Sequence, residues 1–218
     1  ATSAGYAVYD VGQSGLYTCD ITMDGNKYLT SNQQVTVTPY AITVSSQDAN
    51  KVYDGTALTK AESAVSPAVP KTDVLSCRTD SSITDAGSTP NAVTDIVIKR
   101  GTTVTYTAGG AANDYTVTVQ NGTLKVTAKA LNNGTGYASD ITVSQPADVE
   151  YDGTSHSPAV TVTDSFVSTG GTAAALTGAD YTAVYTNNLH SGPATVTITG
   201  KGTYSGSVVR SFAITARP

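Results

Sequence analysis

The sequence predicts an all-β protein built from tandem small β-modules. Thr accounts for 37 of the 218 residues. Like Val, it favours a half-buried pleated surface, because a branched Cβ packs well there. Apolar residues alternate with Thr along several stretches, and Gly and Pro separate these stretches. A helical period of 3.6 residues is indicated only for one short turn near 58–64.

Composition and charge narrow the function classes. Charged residues make up 13% of the chain and hydrophobic residues 39%, a balance typical of folded cores. The net charge of -5 includes no basic cluster, so we expect no nucleic-acid partner. No apolar run approaches the roughly 20 residues that span a bilayer, so we expect no membrane insertion.

The first residues, ATSAGYAVYD, lack the basic and then apolar pattern of a secretory signal. Low charge with many Thr, Gly and Asn residues is nevertheless typical of exported proteins. We therefore interpret the chain as an internal part of a longer protein that is extracellular, either secreted or attached to the cell surface.

A repeat indicates the domain organisation. Residues 42–56 read ITVSSQDANKVYDGT and residues 141–154 read ITVSQPADVEYDGT. The second copy begins about 100 residues after the first, whereas solenoid repeats span about 20–50 residues, so a whole module is duplicated. The predicted boundaries are a first module at 41–129, a linker of small and polar residues at 130–139, and a second module at 140–218.

Alternation places strands within both modules. In the first module, Asn121-Gly122 predicts a type I′ hairpin turn, with Tyr115, Val117 and Val119 on one face of the preceding strand. In the second module, Phe212 and Ile214 should point inward. The other predicted strands lie at 92–99, 103–107, 158–163 and 194–199.

Residues 1–40 differ from both modules. QSGLYTC, with Tyr17 two residues before Cys19, resembles strand F of immunoglobulin-like domains. The following residues indicate a hairpin with Asp24-Gly25 as its turn and with Val35 and Val37 inward. The segment is either the C-terminal part of an Ig-like β-domain or an ordinary hairpin that leads into the first module.

Two cysteines allow one disulfide. A bond between Cys19 and Cys77 requires their Cα atoms to lie close together, which sequence cannot establish. We favour two unpaired thiols.

The repeated motif carries a family resemblance. KVYDGTAL, TDAG at 84–87 and NDYTVTVQNGTLKVTAK resemble the YDG/MBG-type repeat modules of bacterial surface adhesins. VEYDGTSHSPAVTV, GADYTAVYTNN and ATVTITGKGTYSG are similar to a related repeat, although LHSGPA at 189–194 departs from its pattern. The resemblance implies an Ig-like sandwich or a β-grasp-like fold in a linear array, with mucus binding in some relatives. The family carries no catalytic residues.

Tyr53-Asp54-Gly55-Thr56 and Tyr151-Asp152-Gly153-Thr154 are the repeated motif. We favour a structural role, with Asp-Gly as a tight turn, Tyr on the edge of the core and Thr at the start of the next strand. A direct ligand contact by Tyr and Asp is the alternative.

Other chemistry is sparse. His156 and His190 lie beside Ser155 and Ser191, but adjacency in sequence does not make a catalytic pair, and a zinc site would need further ligands. Two pairs of residues could supply oxygen ligands for calcium, namely Asp24 with Asn26 and Asp80 with Asp85. Neither pair has the spacing of a calcium-binding loop. Gly200-Lys201-Gly202 through Gly206 is a strand-linking turn rather than a phosphate cradle, since no helix follows.

An intramolecular cross-link is a further alternative. A Lys–Asn or Thr–Gln bond of this kind needs a buried Lys or Thr, an amide partner and a nearby carboxylic acid, and Lys51 and Lys125 lie in predicted strands.

These observations predict a non-catalytic repeat region that acts as a stalk or spacer in adhesion, with neighbouring modules as partners and no cofactor. One alternative is a module that binds host glycan or mucin protein. Another is a set of accessory β-modules of a secreted carbohydrate-active enzyme.

Overall fold

The computed structural model describes residues 14–23, 26–110, 113–132, 140–169 and 172–217, with backbone alone at 18–23, 26–31, 167–169 and 172. All regular secondary structure in these residues is β-strand, which confirms the predicted all-β class. The expectation of a helical turn near 58–64 is wrong. That stretch begins with one strand, Leu58–Thr59, and ends in another, Ser63–Ser66.

The strands of the first 130 residues are β1 (Gly15–Met23), β2 (Asn26–Val35), β3 (Tyr40–Ser46), β4 (Ala49–Val52), β5 (Leu58–Thr59), β6 (Ser63–Ser66), β7 (Asp73–Arg78), β8 (Ser82–Ile83), β9 (Gly87–Asn91), β10 (Thr94–Arg100), β11 (Thr103–Thr107), β12 (Tyr115–Gln120), β13 (Gly122–Thr127) and β14 (Lys129–Ala130). The remaining strands are β15 (Ile141–Val143), β16 (Val149–Glu150), β17 (Val162–Thr169), β18 (Thr172–Ala175), β19 (Tyr181–Thr186), β20 (Gly192–Gly200), β21 (Tyr204–Ser205) and β22 (Ser207–Thr215).

The described residues divide into two compact units. Unit 1 contains the described residues up to Gln47, together with Lys60–Asp80 and Asn91–Gly122. Unit 2 contains Asp48–Thr59, Ser81–Pro90 and the described residues from Thr123 onward. The boundaries predicted at 40, 129 and 139 stay predictions.

Unit 1 holds one two-stranded and two three-stranded sheets, in the orders β1-β2, β11-β10-β7 and β12-β3-β6. Strands β3 and β12 are parallel, and Tyr40 pairs with Tyr115 at their start. Successive side chains of a strand point to opposite faces of the sheet, and the branched side chains that share one face form the core. Its buried members are Ile42, Val44, Val93, Ile96, Ile98 and Tyr115.

Unit 2 holds the sheets β4-β13-β9, β5-β8, β14-β21, β15-β17-β18 and β16-β22-β20-β19. Its larger core includes Leu131, Ile141, Val143, Val162, Val196 and Ile198. A smaller cluster consists of Ala194, Phe212 and Ile214. The inward orientation predicted for Phe212 and Ile214 is therefore confirmed.

The hairpin predicted at Asn121-Gly122 is wrong. Strand β12 pairs with β3 and strand β13 pairs with β4, both in parallel, so the two strands do not pair with each other. A type I′ turn needs positive φ at both central residues, and neither Asn121 nor Gly122 has it. Their polar groups bind elsewhere: the Asn121 side-chain oxygen accepts the N–H of Val93 at 3.0 Å, and the Gly122 N–H donates to Ser46 Oγ at 2.9 Å.

Two other strand predictions need correction. The strand predicted at 158–163 begins only at Val162. Val119 was expected to share the inner face of its strand with Tyr115 and Val117, but its side chain is 42% exposed because the strand leaves the core at its end.

The two strands of the hairpin expected in residues 1–40 are confirmed. Strands β1 and β2 pair antiparallel from Gly15 with Val35 to Met23 with Asn26. Val35 and Val37 are half-buried. The Asp24-Gly25 turn itself lies outside the described residues.

Candidate functional site

The first YDGT motif folds into a closed turn. The Asp54 Oδ1 atom accepts hydrogen bonds from the Thr56 N–H at 2.9 Å, the Thr56 hydroxyl at 2.8 Å and the Lys51 ammonium at 2.6 Å. Gly55 has a φ of 78°, a conformation that glycine adopts without steric cost. The hydrogen bonds from Lys51 and from Thr56 lower the pKa of Asp54 to about 2.

The second YDGT motif repeats this geometry. The Asp152 Oδ1 atom accepts the Thr154 N–H at 2.8 Å and the Thr154 hydroxyl at 2.7 Å, and Gly153 has a φ of 85°. The Nε2 atom of His156 lies 3.2 Å from the same oxygen, just as the Lys51 ammonium contacts the Asp54 oxygen in the first motif. The hydrogen bonds from Thr154, with a smaller contribution from His156, lower the pKa of Asp152.

The motif tyrosines join the turns to the sheets. The backbone N–H of Tyr53 donates to the carbonyl of Thr127 and that of Tyr151 to the carbonyl of Thr215, both at 2.9 Å. The Tyr53 ring packs edge-on against Tyr204 with 5.6 Å between centroids, and Tyr151 packs against the smaller core cluster of unit 2. The tight turn and the core-edge tyrosine are thus as predicted. The motif threonine donates its N–H and hydroxyl hydrogen bonds to the aspartate and does not begin a strand, so that part of the prediction is wrong.

Each motif follows a short parallel ladder that starts at an aspartate. The Thr123 N–H donates to Asp48 Oδ1 at 2.6 Å where β4 and β13 begin to pair. The Ala213 N–H donates to Asp148 Oδ1 at 2.7 Å where β16 and β22 begin to pair. Sequence reasoning missed these two aspartates, because their partners lie more than 60 residues away in the chain.

Two shallow grooves of about 290 and 430 Å³ lie beside the second motif and share Ser191. One groove includes Asn188 and His190 in its lining, and the other includes Tyr151, Asp152 and Arg217. Their polar atoms could hydrogen-bond a small polar ligand.

The two predicted histidines have different surroundings. The His156 side chain is largely buried, and its backbone N–H and carbonyl both bond to Asn188 at 2.8 Å. His190 is exposed in the wall of a groove. In the part of the chain that the structure describes, no three His, Cys, Asp or Glu residues are grouped as metal ligands.

The other candidates have structural partners. Asp80 forms an ion pair with Arg78 at 3.0 Å, whereas Asp24 lies outside the described residues. The glycines at 200–206 form the strand-linking turn that the sequence predicts, closed by the Gly200 N–H and the Gly206 carbonyl at 2.9 Å. Cys77 carries a free thiol 3.3 Å from the Ser63 hydroxyl, so the unpaired interpretation is confirmed for this cysteine.

Neither of the lysines that the sequence suggested for a cross-link, Lys51 and Lys125, has the surroundings that a cross-link requires. The Lys51 ammonium is bound by the first YDGT turn, and Lys125 is exposed on β13. Sequence reasoning missed Lys129, whose ammonium lies 2.8 Å from both carboxylate oxygens of Asp164 and also contacts Asp140. The Tyr204 hydroxyl donates to Asp164 at 3.2 Å. We name these four residues the lysine cluster.

Unit 1 contains a cluster of similar composition, which we name the arginine cluster. The Arg100 guanidinium binds both carboxylate oxygens of Asp73 at 2.9 and 3.0 Å and lies 3.5 Å from Asp114. The Tyr115 hydroxyl donates to Asp73 at 2.6 Å. Burial acts to raise the pKa of Asp73, but the hydrogen bonds from Arg100, Tyr115 and Thr72 outweigh it and lower that pKa.

Comparisons with protein-family models and with curated proteins find no match to this sequence. Among the described residues, no helix has the length and apolar character that crossing a membrane requires.

Proposed function

We propose that this chain is a non-catalytic extracellular repeat region of a bacterial cell-surface protein and serves as a stalk or spacer in adhesion. The resemblance of its YDGT segments to YDG/MBG-type modules supports this proposal. So does the chemistry of the motif, whose Asp and Thr groups bind one another within the turn. Because the Asp and Thr of both YDGT motifs use their polar groups to close their own turn, we assign the motif a structural role.

The observation that carries the proposal is the parallel pairing of early with late strands. Six residue pairs join β3 to β12 in unit 1. In unit 2, β4 pairs with β13 and β16 pairs with β22 in the same sense. Each of the three ladders therefore joins a strand near the beginning of a repeat to one near its end.

Parallel ladders suit a chain that carries tension. Tension acts at the start of the early strand and at the end of the late strand. In a parallel pair these two points lie at opposite ends of the ladder, whose hydrogen bonds are evenly spaced. The force therefore shears all of the bonds together instead of opening them one at a time, as it would in a hairpin pulled at its two open ends.

Single-molecule pulling on the 218-residue chain from its two ends tests the proposal. We expect unfolding in abrupt steps, with a force lowered by Asp48→Ala and by Asp148→Ala, because each aspartate holds the first N–H of a ladder. Asp80→Ala removes an exposed ion pair at a residue that belongs to none of the three ladders, and it should leave the force unchanged. Gradual extension at low force, or equal forces in all variants, would contradict the proposed mechanical role.

The grooves of unit 2 favour a second candidate, a module that binds host glycan or mucin. Arg217 is 76% exposed beside Tyr151, an arrangement of charge and aromatic ring that can receive a sugar. Binding to a glycan array or to purified mucin, weakened by Arg217→Ala, would support this candidate. An absence of binding at high protein concentration would contradict this candidate and leave the spacer function as the remaining proposal.

A further inference from the structure

The reactive groups of the lysine cluster are held together away from water. The Lys129 side chain is 8% exposed, that of Asp164 is 0% exposed and that of Asp140 is 23% exposed. The Lys129 Nζ atom contacts a carboxylate oxygen of each aspartate. Intramolecular reactions between well-aligned groups reach effective concentrations of up to about 10⁵–10⁸ M, so this proximity favours a reaction between them.

The surroundings give the two aspartates different roles. Asp164 occupies a core-facing position of β17, where the Phe166 N–H donates to it at 2.9 Å and the Tyr204 hydroxyl at 3.2 Å. These bonds hold its carboxylate in place beside Nζ. Asp140 is the more exposed of the two, so a water molecule leaving its carboxyl group can reach solvent.

We propose that Lys129 and Asp140 condense to an intramolecular amide bond, with Asp164 as the proton carrier. Asp164 takes a proton from the Lys129 ammonium, and the freed amine attacks the Cγ atom of Asp140. A C–N bond forms and one C–O bond breaks. Two protons pass from Nζ through Asp164 to the departing oxygen, which leaves as water. The product is a neutral amide, and no oxidant or cofactor is consumed.

The electrostatics of the cluster favour this reaction. Holding one ammonium and two carboxylates out of water carries a desolvation cost for each ion. Condensation removes one positive and one negative charge and leaves Asp164 able to accept the new amide N–H.

The arginine cluster provides a natural comparison. It has the same partners, a buried Asp, a second Asp and a Tyr hydroxyl, around a guanidinium. Arg remains protonated in proteins and does not act as a nucleophile. The arginine cluster should therefore remain a set of ion pairs, and it shows that Arg is compatible with such a site in this protein. Lys129→Arg is consequently a suitable variant that should still fold.

Intact mass spectrometry of the purified 218-residue chain tests the bond. We expect a mass lower than that of the sequence by one water. Lys129→Arg and Asp140→Ala should restore the full mass, and Asp164→Ala should leave most of the protein uncondensed. Asp140→Asn should give the same final product by releasing ammonia. A wild-type mass equal to that of the sequence would overturn the proposal.

Succinimide formation at an Asp-Gly sequence also removes one water, and this chain has such sequences at Asp24-Gly25, Asp54-Gly55 and Asp152-Gly153. A succinimide hydrolyses at mildly alkaline pH and does not depend on Lys129, whereas the amide persists there. A mass deficit that survives in Lys129→Arg would therefore refute the cross-link. Tandem mass spectrometry that joined Lys129 to Asp164 would refute the assignment of Asp140.

A second readout uses the position of the bond. The amide would close a ring around residues 130–139, the predicted linker. With a protease site introduced within 133–137, the cleaved wild-type chain should still migrate as one molecule in a denaturing gel. The cleaved Lys129→Arg chain should separate into two. Separation of both would overturn the proposal and leave the stalk function untouched.

Discussion

Three structural roles of aspartate recur among the described residues, and only the third buries the carboxylate. Asp54 and Asp152 lie at the surface and accept bonds from a threonine two residues ahead. Asp48 holds the first N–H of a parallel ladder. Asp73 and Asp164 are fully buried, and each is matched by a cation and a tyrosine hydroxyl. Only the first role depends on neighbours in sequence, so only the YDGT turns could be predicted.

Removing a buried aspartate should be costly. We expect Asp73→Ala to lower the free energy of unfolding by about 3–5 kcal/mol, because it leaves Arg100 without its buried partner. Asp80→Ala breaks an ion pair whose side chains are more than 60% exposed and should change stability by less than about 1 kcal/mol. Urea titrations of the two variants measure both values. Equal effects would show that the arginine cluster contributes no more than a surface pair.

Among the elements, the glycine turn between β20 and β22 shows how tightly the backbone packs. A Cβ atom at Gly200 would lie 2.7 Å from the backbone nitrogen of Ser205 and 2.9 Å from the carbonyl carbon of Tyr204. Since both are main-chain atoms, the turn itself would have to shift. The sequence predicts a turn here from its glycines, but this close approach arises only once β21 is in place.

Gly200→Ala should therefore destabilise the protein by about 1–3 kcal/mol through overpacking. Gly178→Ala is the matched control, since its Cβ would meet no atom within 4 Å and its φ is not positive. This control should be neutral or slightly stabilising, because alanine restricts the unfolded chain. Thermal denaturation distinguishes the two, and comparable melting temperatures would argue against the backbone contact.

At the scale of the whole molecule, ionisation should limit stability at both ends of the pH range. Asp54, Asp73 and Asp152 have pKa values below their ordinary value when folded. The stability that they contribute is present above the unfolded value of about 3.9 and is lost as pH falls towards the folded values. Burial is the largest cause that raises the pKa of Tyr115 and of Tyr204. The stability that these two tyrosines contribute is therefore present below the unfolded value of about 10 and is lost as pH rises above it.

The melting temperature should therefore fall below about pH 4 and again above about pH 10. Asp54→Asn should make the acid side less steep, because it removes a group whose folded pKa is about 2. Tyr115→Phe with Tyr204→Phe should do the same on the alkaline side. Calorimetry across the range measures both, and unchanged slopes in the variants would contradict these assignments.

By itself, the sequence determined the all-β class, the inward faces of Ala194, Val196 and Ile198, and the two YDGT turns. Alternation and turn chemistry are local, so neighbouring residues suffice to specify them. The tertiary structure alone decided that β12 and β13 pair with β3 and β4 instead of with each other, and that Lys129 is buried while Lys125 is not. Strand partners and burial are set by competition among residues far apart in the chain, which no local pattern records.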